Sequence, residues 1–274
     1  MIPLSITIEL MKAPNLFFDL PNALRRNFSL TLVHGLIRTH ATDQYIVSYP
    51  RSGSTWLRTM LAGIIDPDSG YEPDVFNRLL PGVSGRRLPL VWALSDPRIL
   101  HSHTTFRSEI SKAVYVIRDG RDALISLYHY TTTRTGIDVP FARWFDLYCG
   151  RWYGPRWHDH VEGWLGAGRE RLGSNLLVVK FDDLKTDPVG RVQRVADFLG
   201  LPSERDLVAH AVEMASIEQA KKREARVFGD LKDSNRSFYR GGKTGQYQDY
   251  LKDSLYDRFM GMSARAMSSF CQTP

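Results

Sequence analysis

Residues 45–65 read YIVSYPRSGSTWLRTMLAGII, and this stretch decides the fold. Tyr45 to Tyr49 is a β-branched and aromatic run, the composition of a buried strand. Pro50 to Thr55 is a loop. Beyond it Leu57, Met60, Leu61, Ile64 and Ile65 recur at i, i+3, i+4, i+7 and i+8, the spacing of a helix with its apolar face inward. The loop between strand and helix is built for an anion. Its backbone N–H groups and the helix N-terminus suit a phosphate-like group. Gly53 lets the backbone approach a ligand closely. Ser52, Ser54 and Thr55 add hydroxyl donors, and Arg51 adds a fixed positive charge.

The pattern repeats downstream. Ala113 to Ile117 is a second strand, followed by a helix from about Asp122 through Tyr130. Leu176 to Val179 is a third, leading to Asp187-Pro188, where a capping Asp and a first-position Pro start a helix that Gly200 and Pro202 close. Strands alternating with helices predict an α/β fold, a parallel β-sheet flanked by helices. Such sheets place ligands beyond the C-terminal ends of their strands. Residues 1–42 read as a strand or helix packed on the core, and Phe141 to Trp164 as an aromatic-rich helical stretch. Lys221 to Gln246 is polar, basic and glycine-containing, which predicts a long surface loop of the kind that is usually functional. No repeat, low-complexity tract or linker divides the chain, so one domain over residues 1–274 is expected.

Bulk properties narrow the function. Of the 274 residues, 43% are hydrophobic and 24% charged, which excludes a disordered or fibrous chain. The net charge of +6 calls for an anionic partner: a nucleotide, a nucleic acid or a membrane surface. The densest basic cluster, Lys221, Lys222, Arg223 and Arg226, reads as the solvated face of a helix rather than a DNA-binding stripe. Cys149 and Cys271 fit no metal or redox spacing. The N-terminus lacks a signal-like pattern, and no apolar run approaches the ~20 residues that span a bilayer. A soluble, cytoplasmic protein is expected, with neither membrane nor nucleic acid as partner.

The first loop lacks the second glycine and the lysine of GxxxxGK[ST], so it is not a nucleotide triphosphatase loop. YPRSGSTWL resembles instead the 5′-phosphosulfate-binding loop, usually YPKSGTTW, of the cytosolic-type sulfotransferases. These enzymes use 3′-phosphoadenosine 5′-phosphosulfate (PAPS) and release the desulfonated product PAP. Arg51 stands where lysine is usual. Arginine supplies the charge, but with a pKa above about 12 it cannot lend a proton, so purely electrostatic help to the leaving group is expected.

A second segment, VIRDGRDALISLYHY over residues 116–130, again runs strand, turn, helix. Arg118 at the strand end can contact a phosphate bidentately, and the Ser126 hydroxyl can face the same group. The segment fits the family's 3′-phosphate motif VxRNxxDxxxSxYxH, with Asp119 in place of asparagine. The resemblance therefore implies that Arg118 and Ser126 recognise the 3′-phosphate. A third segment, FYRGGKTG over 238–245, resembles the family's FxRKGxxG. It implies that Arg240 and the amides of Gly241 and Gly242 close over that phosphate, with Lys243 compensating for the lysine that Gly241 replaces. By the same resemblance adenine stacks on Trp56. Phe181 and Ser216 complete the implied donor set, Phe181 standing where tyrosine is common and Ile217 where phenylalanine is. The implied fold is the P-loop-kinase-like fold of the sulfotransferases.

Sulfonate transfer moves SO₃ in line between two oxygens, so positioning and charge carry much of the catalysis. A neutral alcohol or phenol must still lose its proton, a task suited to histidine at neutral pH. His101-Ser102-His103 resembles the family's KTHLP segment. His103 falls on the catalytic base and His101 on a lysine that contacts the sulfonate; His101 is the alternative base. In extended chain both side chains point the same way. An HxH pair can also be a polar loop or a metal pair, but no third ligand is near in sequence and the family uses no metal, so none is expected.

The expected function is thus transfer of sulfonate from PAPS to a small-molecule acceptor: a phenol, an alcohol or a sugar hydroxyl. Two other readings stand beside it, an ATP-dependent kinase of the same broad fold and a non-catalytic nucleotide or polyanion binder. Tyr128, Tyr130, Phe141, Trp144, Phe145, Tyr148, Trp152, Tyr153 and Trp157 either line an acceptor pocket or form helix-packing core, which we favour for most. Arg134, Arg143 and Arg151 leave a carbohydrate or acidic acceptor open, and the oligomeric state, a homodimer included, is open too.

Overall fold

In the computed structural model the described residues are 39–83, 88–135, 139–150, 155–228 and 244–273. Strands β1 (Gln44–Ser48), β2 (Ile99–Ser102) and β3 (Ala113–Ile117) are buried at every residue, and β4 (Leu176–Lys180) at alternate ones. Near-continuous apolar runs of this kind mark parallel strands covered on both faces. The sheet is four-stranded, in the order β2-β1-β3-β4, and every pairing is parallel. Strand β2 is an addition to the sequence reading. Its C-terminal half carries His101 and Ser102, polar residues that disguise a buried strand, because that end of the sheet carries the candidate site.

Side chains alternate along β1. Tyr45 and Val47 join one core with Tyr115, Trp144, Trp157, Trp164 and Phe259; Ile46 joins the other with Leu57, Val114, Val195 and Leu199. The helices follow in chain order: α1 (Ser54–Ile65), α2 (Pro73–Leu79), α3 (Leu88–Trp92), α4 (Gly120–Thr135), α5 (Phe141–Cys149), α6 (Trp157–Gly163), α7 (Phe181–Thr186), α8 (Pro188–Leu199), α9 (Arg205–Met214), α10 (Ile217–Phe228) and α11 (Asp253–Gln272). Helix α6 runs on through a π turn at Trp164–Gly168 and a last turn at Arg169–Leu172.

Helix α1 is buried from Leu57 through Ile64, more than one apolar stripe requires, because α2, α8 and α9 all pack on it. Its Arg58 is buried and donates to the Leu80 carbonyl and to Asn77. Helix α8 starts and stops where expected: the Asp187 carboxylate accepts from the Gly190 N–H at 3.0 Å, and Gly200 takes a left-handed φ of 72°. The aromatic stretch forms α5 and α6. Trp144, Phe145, Tyr148 and Trp157 are each at most 2% exposed, which makes them core. Arg151, Trp152 and Tyr153 lie outside the described residues.

The expected loop from Lys221 is corrected: α10 carries the chain as helix to Phe228. Its basic composition masks an amphipathic pattern. Ala220 and Arg223 are buried, Arg223 donating to the Met214 carbonyl at 2.8 Å. Lys221 and Lys222 face outward, and Lys222 pairs with Glu218 one turn earlier at 2.8 Å. Arg240, Gly241, Gly242 and Lys243 lie outside the described residues, as does nearly all of 1–42. Among the described residues no helix is long and apolar enough to cross a membrane.

The N-terminal edge of the sheet is tied by Asp43, just before β1, and Arg98, just before β2. Both are buried, and they form a two-point pair at 2.7 and 2.6 Å. Removing one partner strands a buried charge. Asp43→Ala should therefore lower stability by about 3–5 kcal/mol in urea unfolding, and Asp43→Leu/Arg98→Met should recover most of it.

Candidate active site

In a sheet of order 2-1-3-4 the chain reverses direction across β1, which opens a crevice between the C-terminal ends of β1 and β3. The first loop leaves β1 at this point. Arg51 has a left-handed φ of 70° and Gly53 a φ of 100°. A Cβ on Gly53 would lie 2.4 Å from the Phe181 ring, so both backbone and packing require glycine there. The first helical hydrogen bond of α1 runs from Leu57 N to Gly53 O, which leaves the N–H groups of Ser54, Thr55 and Trp56 without helical partners. The Ser52 hydroxyl is fully buried and has no hydrogen-bond partner among the described residues. A buried unsatisfied hydroxyl beside a ring of amides is what a bound anion would satisfy.

Arg118 follows β3 and meets this loop. It is buried, donates to the Arg51 carbonyl at 3.4 Å, and stacks its guanidinium 4.7 Å from the Phe181 ring centre. Burial pulls its pKa below the usual arginine value, while Asp122, Asp182 and Asp119 act in the opposite sense. Its own carbonyl accepts from the Trp157 indole at 3.1 Å, and Trp157 fits only because Gly120 has no Cβ, which would lie 2.5 Å from the ring. Arg51 turns its side chain towards α4: Nε donates to the Ser126 hydroxyl at 3.2 Å, and the guanidinium lies 4.9 Å from the Tyr130 ring centre. Arg51, Arg118 and Ser126 thus converge. Asp119 does not face the crevice group; it binds the Arg121 backbone and side chain.

Trp56 and Phe181 meet edge to face at 6.3 Å, and the Trp56 indole donates to the Ala215 carbonyl at 3.0 Å. Ser216 follows directly and accepts from the Gln219 N–H at the start of α10. Trp56, Phe181 and the chain at Ser216 therefore stand on one side of the loop.

On the other side stand the histidines. His101 is buried in β2, with Nε2 3.1 Å from the Ser54 hydroxyl. His103 lies just beyond β2, its Nδ1 2.8 Å from the Ser48 carbonyl and 3.3 Å from the Ser48 hydroxyl. A carbonyl only accepts, so Nδ1 carries the proton and Nε2 is the basic atom. The two rings meet edge to face at 4.6 Å. The Ser48 hydroxyl donates to that of Ser54 at 2.8 Å, joining the histidines through two serines. Below them His160 is fully buried. Its Nδ1 lies 3.0 Å from the Tyr115 hydroxyl, and burial first, then His103, pushes its pKa down to about 3, so the ring is neutral.

Sequence reasoning missed the roles of Ser48 and Asp122. A hydroxyl at the C-terminal end of an apolar strand was the available signal for Ser48. Trp157, expected as acceptor pocket or core, is core, and its indole holds the Arg118 carbonyl. Asp122 is buried, and its carboxylate accepts from the Gly245 N–H at 2.9 Å, a contact 123 residues apart in sequence.

The family model described as the sulfotransferase domain matches residues 41–270. The chain belongs to the sulfotransferase family. It is 27% identical to a flavonol 3-sulfotransferase of Flaveria bidentis, over 81% of this chain and 80% of that one, and 27% identical to human sulfotransferase 2B1, over 88% and 71%. Among solved structures, a retinol dehydratase in complex with retinol and PAP superposes with a TM-score of 0.63 at 21% identity, over 85% of this chain and 83% of that one. A mouse sulfotransferase complexed with PAP superposes at 0.65 and 18%, over 89% and 93%. These likenesses show that this sulfotransferase shares their fold, as the alternation of strands and helices predicts.

His160 makes the floor of the site acid-sensitive. Its folded pKa of about 3 lies below the ordinary 6.5, so between those values the unfolded chain binds a proton that the folded one cannot. Its contribution is complete above pH 6.5 and lost as the pH falls, at up to about 1.4 kcal/mol per pH unit. Urea unfolding at pH 6.5 and 5 should show the wild type losing about 2 kcal/mol more than His160→Gln. Equal losses would mean that His160 is charged in the folded protein.

Proposed function

We propose that this sulfotransferase moves a sulfonate from PAPS to the hydroxyl of a small-molecule acceptor, with His103 as general base. The convergence of Arg51, Arg118 and Ser126 at the β1/β3 crevice, beside a loop of unsatisfied donors, carries the reading. A donor with two separated anionic groups fits that arrangement. The amides of residues 52–56 and the Ser52 hydroxyl hold the phosphosulfate end. Arg118 and Ser126 hold the 3′-phosphate, joined in this reading by Arg240, Gly241 and Gly242. Trp56, Phe181 and Ser216 border the adenine.

His103 then acts from the far side of the loop. With Nδ1–H held by the Ser48 carbonyl, Nε2 takes the acceptor's proton as its oxygen bonds to sulfur and the sulfur–oxygen bond to the 5′-phosphate breaks. Arg51 supplies positive charge but no proton, so stabilisation of the leaving phosphate is electrostatic. The relatives named flavonol sulfotransferases, and the neighbours solved with retinol or androsterone, favour a phenol or alcohol on an apolar skeleton as acceptor. A cytoplasmic setting fits the relatives named cytosolic sulfotransferases and the two unpaired cysteines.

Thermal shift with PAP, PAPS and ATP tests the donor. PAP and PAPS should raise the melting temperature and ATP should not; stabilisation by ATP alone would favour a kinase instead. Arg118→Ala should weaken PAP binding about ten- to a hundredfold, the range for hydrogen bonds to a charged group. His103→Ala should cut turnover about 10²–10⁴-fold and leave PAP affinity unchanged. Retained turnover would assign the base to another residue.

A further inference from the structure

We infer that the reaction itself charges His101: as His103 takes the acceptor's proton at Nε2, its Nδ1 proton is relayed through the Ser48 and Ser54 hydroxyls to His101. The inference rests on the proposed function, since it takes His103 as base. It starts from a problem the sequence poses. Where the family resemblance expects a lysine, with a permanent charge against the sulfonate, this chain has a histidine. That ring is 7% exposed and lies 4.6 Å from a second imidazole.

The hydrogen bonds supply the answer. His103 Nδ1 faces both the carbonyl and the hydroxyl of Ser48, at 2.8 and 3.3 Å. The Ser48 hydroxyl donates to Ser54 at 2.8 Å, and the Ser54 hydroxyl lies 3.1 Å from His101 Nε2. With Ser48 donating to Ser54, a Ser54 proton turned to His101 Nε2 completes a chain that runs in one direction.

The step balances without an added reagent. The acceptor O–H breaks, its oxygen forms the new bond to sulfur, and the old sulfur–oxygen pair stays with the departing 5′-phosphate. The acceptor's proton goes to His103 Nε2. The Nδ1 proton moves to Ser48, the Ser48 proton to Ser54 and the Ser54 proton to His101 Nε2. His103 is again neutral, and His101 is an imidazolium beside the group being transferred. Ser48 is a positioning residue here. It is fully buried at the end of β1, and its hydroxyl lies between His103 Nδ1 and the Ser54 hydroxyl.

The test reads tautomers directly, by long-range nitrogen–proton NMR on the ¹⁵N-histidine-labelled full chain saturated with PAP. The expected result is both His101 and His103 as Nδ1–H tautomers, with His101 Nε2 unprotonated. His101 as the Nε2–H tautomer would donate to Ser54, block the chain, and overturn the inference. No PAP-induced shift at all would instead count against the donor reading itself. Kinetics with PAPS and quercetin give a second readout. The proton inventory of turnover should be bowed in the wild type and in Ser48→Thr, and linear in Ser48→Ala with turnover at least tenfold lower and PAP affinity within twofold. A linear inventory in all three would also overturn it.

Discussion

The site depends on the parallel pairing of β1 with strands on both sides. Ile46 lies opposite His101 of β2 in one direction and Val114 of β3 in the other. That register brings the ends of three strands to one level: Ser48, Ser102 and Ile117 close their strands together, and the loops beyond them must share the crevice. His103 reaches the Ser48 carbonyl because its strand stops one residue earlier beside β1. Arg118 reaches the Arg51 carbonyl because its strand stops on the opposite side. A one-residue slip in either pairing would turn the buried side chains over and separate the histidine pair from the anion loop.

Much of this was legible because strands covered on both faces need unbroken apolar runs, and β1, β3 and β4 have them. Caps were legible for the same local reason: Asp187-Pro188 and Gly200 act through their own backbone. Strand β2 was not, since two of its four residues are polar, and they are polar because they end in the site. Helix α10 was missed from the other side. Its lysines dominate the composition, whereas what holds it is the buried face of Ala220 and Arg223, visible only once Met214 is placed beside it. The candidate residues were legible singly; their partners were not. Nothing in the sequence joins Ser48 to Ser54 and both to the histidines, or Asp122 to Gly245, because those contacts are products of the fold.

Charge is arranged unusually around the crevice. Two positions where the family resemblance expects lysine hold Arg51 and His101. Lysine is a flexible point charge; arginine is a planar fork whose orientation is set by what it bonds. Here Ser126 and the Tyr130 ring set it, directing the guanidinium towards α4 rather than along the loop. His101 is tied to Ser54 in the same way. Neither side chain is left to swing, so pre-positioning replaces mobility.

Asp122 joins the start of α4 to the chain at Gly245, 123 residues away. One carboxylate oxygen takes the Gly245 amide; the other is buried without a partner among the described residues. A buried carboxylate oxygen is costly to leave unsatisfied, and near Arg118 it also supports the charge that burial would otherwise weaken. The same side chain therefore holds Gly245 and sustains the arginine at the end of β3. One residue thus acts on both the position of Gly245 and the charge of Arg118.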